Sequence, residues 1–300
     1  MSFALETHGL GKRYGRRWAL RDCTLALPEG RVVALVGANG AGKSTLLQLA
    51  VGLLSPSAGT VTVFGSRPQE NAAVLSAVGF VAQTTPLYDS FTVDELIAFG
   101  AKLNPRFEAT AARLKLAALG IDARSLAGHL SGGQRAQVAL ALALAKRPSL
   151  LILDEPVASL DPLARREFLQ SLMEAVAEEG TTVVLSSHLI TDLERVCDYL
   201  IVLSASRVQV LGDIEELLAS HALLTGPTSN ASLLALSAPV VAESSTRRQA
   251  TLLARTNGAR RRLPDGWTSS TITLDELVLA YMRNPLTGAL PGPQMLVSAQ

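Results

Sequence analysis

One stretch, Gly37-Ala-Asn-Gly-Ala-Gly-Lys-Ser44, constrains this 300-residue chain more than any other feature. It satisfies G-x-x-x-x-G-K-[ST] and stands after an apolar, β-branched run, Val32 to Val36, and before a helical one, Thr45 to Ala50. A strand, a glycine-rich turn and a helix start, in that order, form a cradle for phosphate. Gly37, Gly40 and Gly42 let the backbone curl so that successive N–H groups face inward, and the helix start adds partial positive charge. Lys43 then reaches the β- and γ-phosphates of a nucleotide and the Ser44 hydroxyl binds Mg²⁺. Ala38, Asn39, Ala41 and Thr45 complete the candidate nucleotide-binding segment.

Further apolar runs, Val78 to Ala82, Leu150 to Leu153, Thr182 to Leu185 and Leu200 to Leu203, read as buried strands separated by helical patterns. This alternation predicts an α/β domain with a largely parallel sheet. Thr92 and Glu95 have capping-box spacing. Pro162 suits the first position of a helix carrying Phe168, Leu172 and Val176 and ended by Gly180. The run Leu150 to Leu153 leads into Asp154 and Glu155 at a strand's carboxyl end, where open α/β sheets place their ligands. Asp154 there can hold a metal through water, and Glu155 can orient or deprotonate an attacking water.

Composition narrows the setting. With 48% hydrophobic residues the chain can bury a sizeable core, and 27 Lys+Arg against 26 Asp+Glu leave no global field that implies a nucleic-acid partner. Cys23 and Cys197 are too few and too far apart for a disulfide framework or a zinc site. The longest apolar run, Val138 to Ala145, is far short of the roughly 20 residues of a membrane-spanning helix. Met1 to Gly11 lacks the pattern of a secretory signal, so a cytoplasmic location is expected.

Leu130-Ser-Gly-Gly-Gln134 precedes the Asp154-Glu155 strand. Ser131 reads as a helix N-cap, and Gly132 and Gly133 leave the next helix's N–H groups open to an anion. Together with Tyr14, the phosphate loop, Gln83, Ser159-Leu-Asp161 and His188, this order resembles the ATP-binding subunits of ATP-binding cassette (ABC) transporters over about residues 1 to 220. The resemblance implies a P-loop NTPase with an ABC-type nucleotide-binding domain: a RecA-like parallel sheet core, an antiparallel β subdomain and a helical subdomain.

It also implies roles. Ser131, Gly132, Gly133 and Gln134 face the ATP held by a second subunit, with a homodimer favoured. Gln83 coordinates the metal or the attacking water, so Ser44, Gln83 and Asp154 form the metal set. Glu155, Gln83 and His188 form the catalytic set, His188 sensing the γ-phosphate. Tyr14 stacks on adenine, with Trp18 as a rival. Asp161 either bridges the subunits or caps a helix. The cofactors implied are ATP and Mg²⁺.

The resemblance further implies that closure of the dimer drives separately encoded transmembrane permease subunits from the inner face of the membrane, with Thr84 to Ala101 as the transmission surface. No direct nucleic-acid contact is expected. Length argues against sugar importers, and Thr273 to Tyr281 is similar to the terminal helix of drug and lipid exporter cassettes, although a helix packed on its own small domain fits equally. A soluble cassette acting on ribosomes or DNA is the rival function. Beyond residue 220 a small α+β extension is expected, with a linker at 225–232, strands near Val240, Thr251 to Ala254 and Thr271 to Thr273, a helix from Leu274 to Met282 and a mobile tail at 285–300. Six arginines, 247, 248, 255, 260, 261 and 262, lie there without an acidic residue between Thr246 and Arg262; they read as a solvated face or as a contact for lipid headgroups or a partner.

Overall fold

The computed structural model describes residues 2–187, 190–231, 239–256 and 263–284. The chain begins with β1 (Phe3–Tyr14), β2 (Arg17–Pro28) and β3 (Val32–Gly37), then α1 (Lys43–Ala50) and β4 (Ala58–Val63). Next come α2 (Ala72–Ser76), β5 (Val78–Val81), α3 (Val93–Leu103), α4 (Ala109–Ala118) and α5 (Gly132–Ala145). They are followed by β6 (Leu150–Asp154), α6 (Pro162–Glu179), β7 (Thr182–Ser187), α7 (Ile190–Leu193), β8 (Tyr199–Ser204) and β9 (Arg207–Asp213). The last elements are α8 (Ile214–Ala219), β10 (His221–Pro227), β11 (Val240–Ser245), β12 (Gln249–Arg255), β13 (Thr268–Ser270) and α9 (Leu274–Arg283).

Three sheets result. A six-stranded sheet has the order β5-β6-β7-β3-β8-β9 and is parallel except for β9. The order β2-β1-β4 makes an antiparallel sheet, and β11-β12-β10-β13 a second. The period of two along each strand divides the apolar residues of the central sheet between its faces. Val33 and Leu35 pack with Leu46, Leu47 and Leu49 of α1 and with the β1–β2–β4 sheet. Val32, Ala34 and Val36 pack with α5, α6 and α9 on the other face. Each fully buried apolar side chain contributes roughly 1.5–3 kcal/mol.

Helix α5 is apolar all round from Val138 to Ala145 because it serves two cores: Ala136, Leu140 and Ala143 face the central sheet, while Val138, Ala141 and Ala145 pack against α3 and α4. The expected capping box at Thr92 and Glu95 is present. Helix α6 starts with Pro162 and ends on Gly180 at φ +64°. The three parts implied by the resemblance, a parallel core, an antiparallel β region and a helical region, are all observed.

Beyond residue 220 several expectations need correction. The stretch read as a linker, 225–232, begins as the end of β10, because Thr225 to Pro227 pair with β12; a 3-10 turn, Thr228–Asn230, follows. The last strand lies at Thr268–Ser270, and Thr273 is the N-cap of α9. Nor does α9 pack only within the extension: Leu274, Leu277, Val278 and Tyr281 join the same core as Phe168 and Leu185. His221 ties it down. Its Nδ1–H donates to Leu217 O at 2.7 Å, so Nε2 accepts from the Tyr281 hydroxyl at 2.9 Å. Burial, with the Arg255 charge nearby, pushes the His221 pKa down to about 4.

Arg255 itself is buried, at 8% exposure, rather than on a solvent-facing side, while Arg247 and Arg248 are exposed at the β11–β12 turn. Arg260, Arg261 and Arg262 and the expected tail, 285–300, lie outside the described residues. Both described cysteines are free. Among the described residues no helix is long and apolar enough to cross a membrane.

Candidate functional site

The phosphate loop joins β3 to α1. Gly42 holds φ +108°, and a Cβ there would run into Ala19 O and the Leu20 side chain. The loop therefore lies directly against β2, which only glycine permits. At the head of α1 Lys43 is 6% exposed; its Nζ donates to Gly37 O at 2.8 Å and meets Glu155 Oε1 at 3.1 Å. An ammonium and a carboxylate so far removed from water are held by each other, and removal of either leaves a costly unpaired charge.

Strand β6 delivers Asp154 and Glu155. Asp154 is 3% exposed and accepts from Ser186 Oγ at 2.9 Å; that same hydroxyl accepts from the Glu155 N–H at 2.8 Å. Glu155 has φ +46°, a left-handed turn that for a non-glycine residue costs on the order of 1–2 kcal/mol. The turn swings its carboxylate out of the strand line toward Lys43. Ser186, on the neighbouring β7, braces both acidic residues, and nothing in its local sequence marks it for this.

A cleft of about 520 Å³ extends from this point and is lined by Tyr14, Arg17, Asn39, Ser44, Gln83 and Glu155, among others. Gln83 is thus brought to the phosphate loop, as is Ser44. Tyr14 is 51% exposed at the cleft, whereas Trp18 does not line it. Strand register explains the difference. Trp18 pairs with Arg13, whose guanidinium lies 5.6 Å from its ring, while Tyr14 pairs with Arg17 on the opposite face of the hairpin. His188 lies outside the described residues. The donors that remain, a buried carboxylate, a hydroxyl and an amide oxygen, are hard oxygen ligands. Among the described residues there is no cluster of three or more His, Cys, Asp or Glu, and Mg²⁺ characteristically shares so small a protein set with phosphates and water.

The LSGGQ segment forms a second concavity, of about 360 Å³, at the head of α5. Ser131 caps the helix: its Oγ accepts from the Gln134 N–H at 3.2 Å, and Gln134 Oε1 accepts from the Ser131 N–H at 3.0 Å. Asp161 lies across the concavity and caps α6 by accepting from Leu163 N and Ala164 N, both at 3.0 Å. Ser159 also lines it. So does Gln137, 6% exposed, whose amide has no hydrogen-bond partner among the described residues.

Arg135, next to the LSGGQ segment, was not anticipated as a functional residue. Its guanidinium donates to Thr85 O at 3.1 Å, Leu87 O at 3.0 Å and Ala127 O at 3.2 Å, and pairs with Asp89 at 2.7 Å. One side chain thus fastens α5 to the loop after Gln83. That loop and α3 border an apolar groove of about 680 Å³, where Leu53, Tyr88, Phe99 and Leu103 are exposed. Tyr88, Phe91 and Phe99 form an aromatic cluster with centroids 5.2–6.2 Å apart, Phe99 meeting the other two rings edge to face. Lys146 lines the groove, donating to Leu75 O and Val78 O at 2.7 Å, and burial lowers its pKa.

A family profile described as ABC transporter matches residues 20–158. The chain is 32% identical to the bacitracin transport ATP-binding protein BcrA of Enterococcus faecalis, over 72% of this chain and 71% of that protein. It is 37% identical to the Nod factor export ATP-binding protein I of Rhizobium leguminosarum bv. viciae, over 68% of this chain and 67% of the relative. Against the sulfate/thiosulfate import ATP-binding protein CysA of Yersinia pestis it is 36% identical, over 71% and 61%. Among solved structures, the dimeric post-hydrolysis state of an ATP-binding cassette bound to ADP and Pi superposes with a TM-score of 0.62 at 26% identity, over 70% of this chain and 98% of that one.

Proposed function

This chain belongs to the ABC transporter family as an ATP-binding subunit and ATPase, and from that premise we propose which residues do the work and what the work drives. The observation that carries the assignment is the meeting of Lys43 and Glu155 at 3.1 Å beside the buried Asp154. A γ-phosphate arriving in the loop competes with Glu155 for Lys43, which frees that carboxylate to face the attacking water. The water oxygen bonds to the γ-phosphorus, the bond to the oxygen bridging to the β-phosphate breaks, and Glu155 accepts the water's proton. Ser44, Gln83 and Asp154 would hold Mg²⁺, which when bound neutralises charge on the β- and γ-oxygens. Tyr14 stacks on adenine, and His188 contacts the γ-phosphate.

The Ser131–Gln134 concavity takes the ATP of a second copy, so that two nucleotides join a homodimer, and Asp161 sits at that joint. The apolar groove between the 85–89 loop and α3 receives separately encoded transmembrane subunits at the inner face of the membrane, and Arg135 transmits dimer closure to it. Export is the favoured direction, on the likeness of Thr273 to Tyr281 to the terminal helix of exporter cassettes; relatives named for export and for import both match the chain. Detergent extraction followed by affinity capture of the tagged chain tests the coupling. Recovery of a polytopic membrane protein is the expected result, and ribosomal or DNA material in its place would overturn it.

A further inference from the structure

The hairpin of β1 and β2 carries a cation that the roles above leave unused. Lys12, Arg13, Arg16 and Arg17 crowd its tip. Lys12 donates to Ser55 O at 2.7 Å and Arg13 lies over Trp18. Arg17, by contrast, is exposed and its side chain makes neither a hydrogen bond nor an ion pair among the described residues, yet it lines the same cleft as Tyr14, Lys43 and Ser44.

Strand register sets its direction. Between the pairs Lys12–Leu20 and Arg13–Trp18, β2 carries one extra residue, Ala19. Directly opposed residues share a face with Cβ atoms roughly 4.5–5.5 Å apart, so Tyr14 and Arg17 stand side by side. Lys12, two residues from Tyr14, shares that face with its partner Leu20, and the Leu20 side chain reaches Gly42 of the phosphate loop. The Tyr14–Arg17 face is therefore the one turned to the nucleotide. Lys43 and the amides of the loop hold the far end of a triphosphate, and a base on Tyr14 marks the near end. A guanidinium beside that ring falls next to the sugar, where the only full charge a nucleotide offers is its first phosphate. A planar two-pronged donor suits a phosphate better than a base edge.

We propose that Arg17 is a nucleotide-binding residue whose guanidinium bonds to the α-phosphate, an inference that rests on the nucleotide assignment above. Titration calorimetry of the full chain with ADP, AMP and adenosine tests it, with Arg17→Ala, Arg17→Gln and Lys43→Ala beside the unaltered protein. Arg17→Ala and Arg17→Gln should each weaken ADP and AMP by about 10-fold, the scale of one charge-assisted contact, and leave adenosine unchanged. Arg17→Gln keeps a long polar side chain at the hairpin tip, so it gives the answer if alanine disturbs the turn. ADP affinity equal to the unaltered protein's in both variants, or an equal loss for adenosine, overturns the α-phosphate role. Failure of the unaltered protein to bind ADP, or of Lys43→Ala to weaken it, would instead remove the nucleotide assignment on which it rests.

Discussion

Two acidic residues adjacent in sequence sit in different surroundings, and those surroundings separate their tasks. Asp154 is enclosed and held by Ser186, which suits a fixed ligand; Glu155 is turned out by its left-handed backbone to meet Lys43. Glu155→Gln should retain ATP binding yet lower steady-state phosphate release by at least about 10²-fold, the usual worth of a general base; near-normal turnover would exclude that role. His221 supplies a separate test through acid stability. Its folded pKa, about 4, lies below the ordinary value of 6.5, so the unfolded chain binds the proton more readily. Its contribution is intact above pH 6.5 and is lost as pH falls through 4, on the order of 3 kcal/mol in all. Tyr281→Phe removes the hydroxyl that Nε2 accepts from and should cost about 1–2 kcal/mol at neutral pH. Denaturant titrations at pH 7 and pH 4.5 read both effects, and equal stability of the unaltered protein at the two values would contradict the His221 assignment.

Among the elements, α5 touches the most functions: its head carries the LSGGQ concavity, its flanks two cores, and Arg135 the loop that borders the apolar groove. Three backbone carbonyls depend on that one guanidinium. Arg135→Ala should leave α5 folded, because its apolar flanks remain, and release residues 85–89. Hydrogen exchange should then speed up in that loop by about 10-fold or more, as expected for the loss of more than 1.4 kcal/mol of local stability. Unchanged protection there would detach Arg135 from the transmission path. Only half of this attachment is legible in the sequence: Thr84 to Ala101 stands out because it follows Gln83, but the arginine that fastens the loop lies 50 residues further along.

For the whole molecule, the phosphate loop with its cleft and the LSGGQ concavity are separate sites with separate linings. If two copies enclose ATP between these sites, blocking the second should abolish assembly without touching the first. Ser131→Arg in the Glu155→Gln background should bind ATP normally and remain monomeric in light scattering with ATP and Mg²⁺, while Glu155→Gln alone dimerises. A dimer in both, or in neither, would refute that arrangement.

Local sequence already spells out the phosphate loop, the Asp154-Glu155 strand end, the capping box at Thr92, the N-cap at Ser131 and the buried strands of the parallel sheet. Each is written in neighbouring residues, whose spacing already dictates turn, cap or period. That Tyr14 and not Trp18 faces the cleft emerges from the assembled hairpin, because one extra residue in β2 sets which side each aromatic takes. Tertiary structure alone brought Ser186 under the two carboxylates, turned Arg255 inward and sent α9 into the main core rather than a small domain of its own. Those outcomes depend on pairings between strands and helices far apart in the chain, and no local pattern encodes which distant surface a side chain will meet.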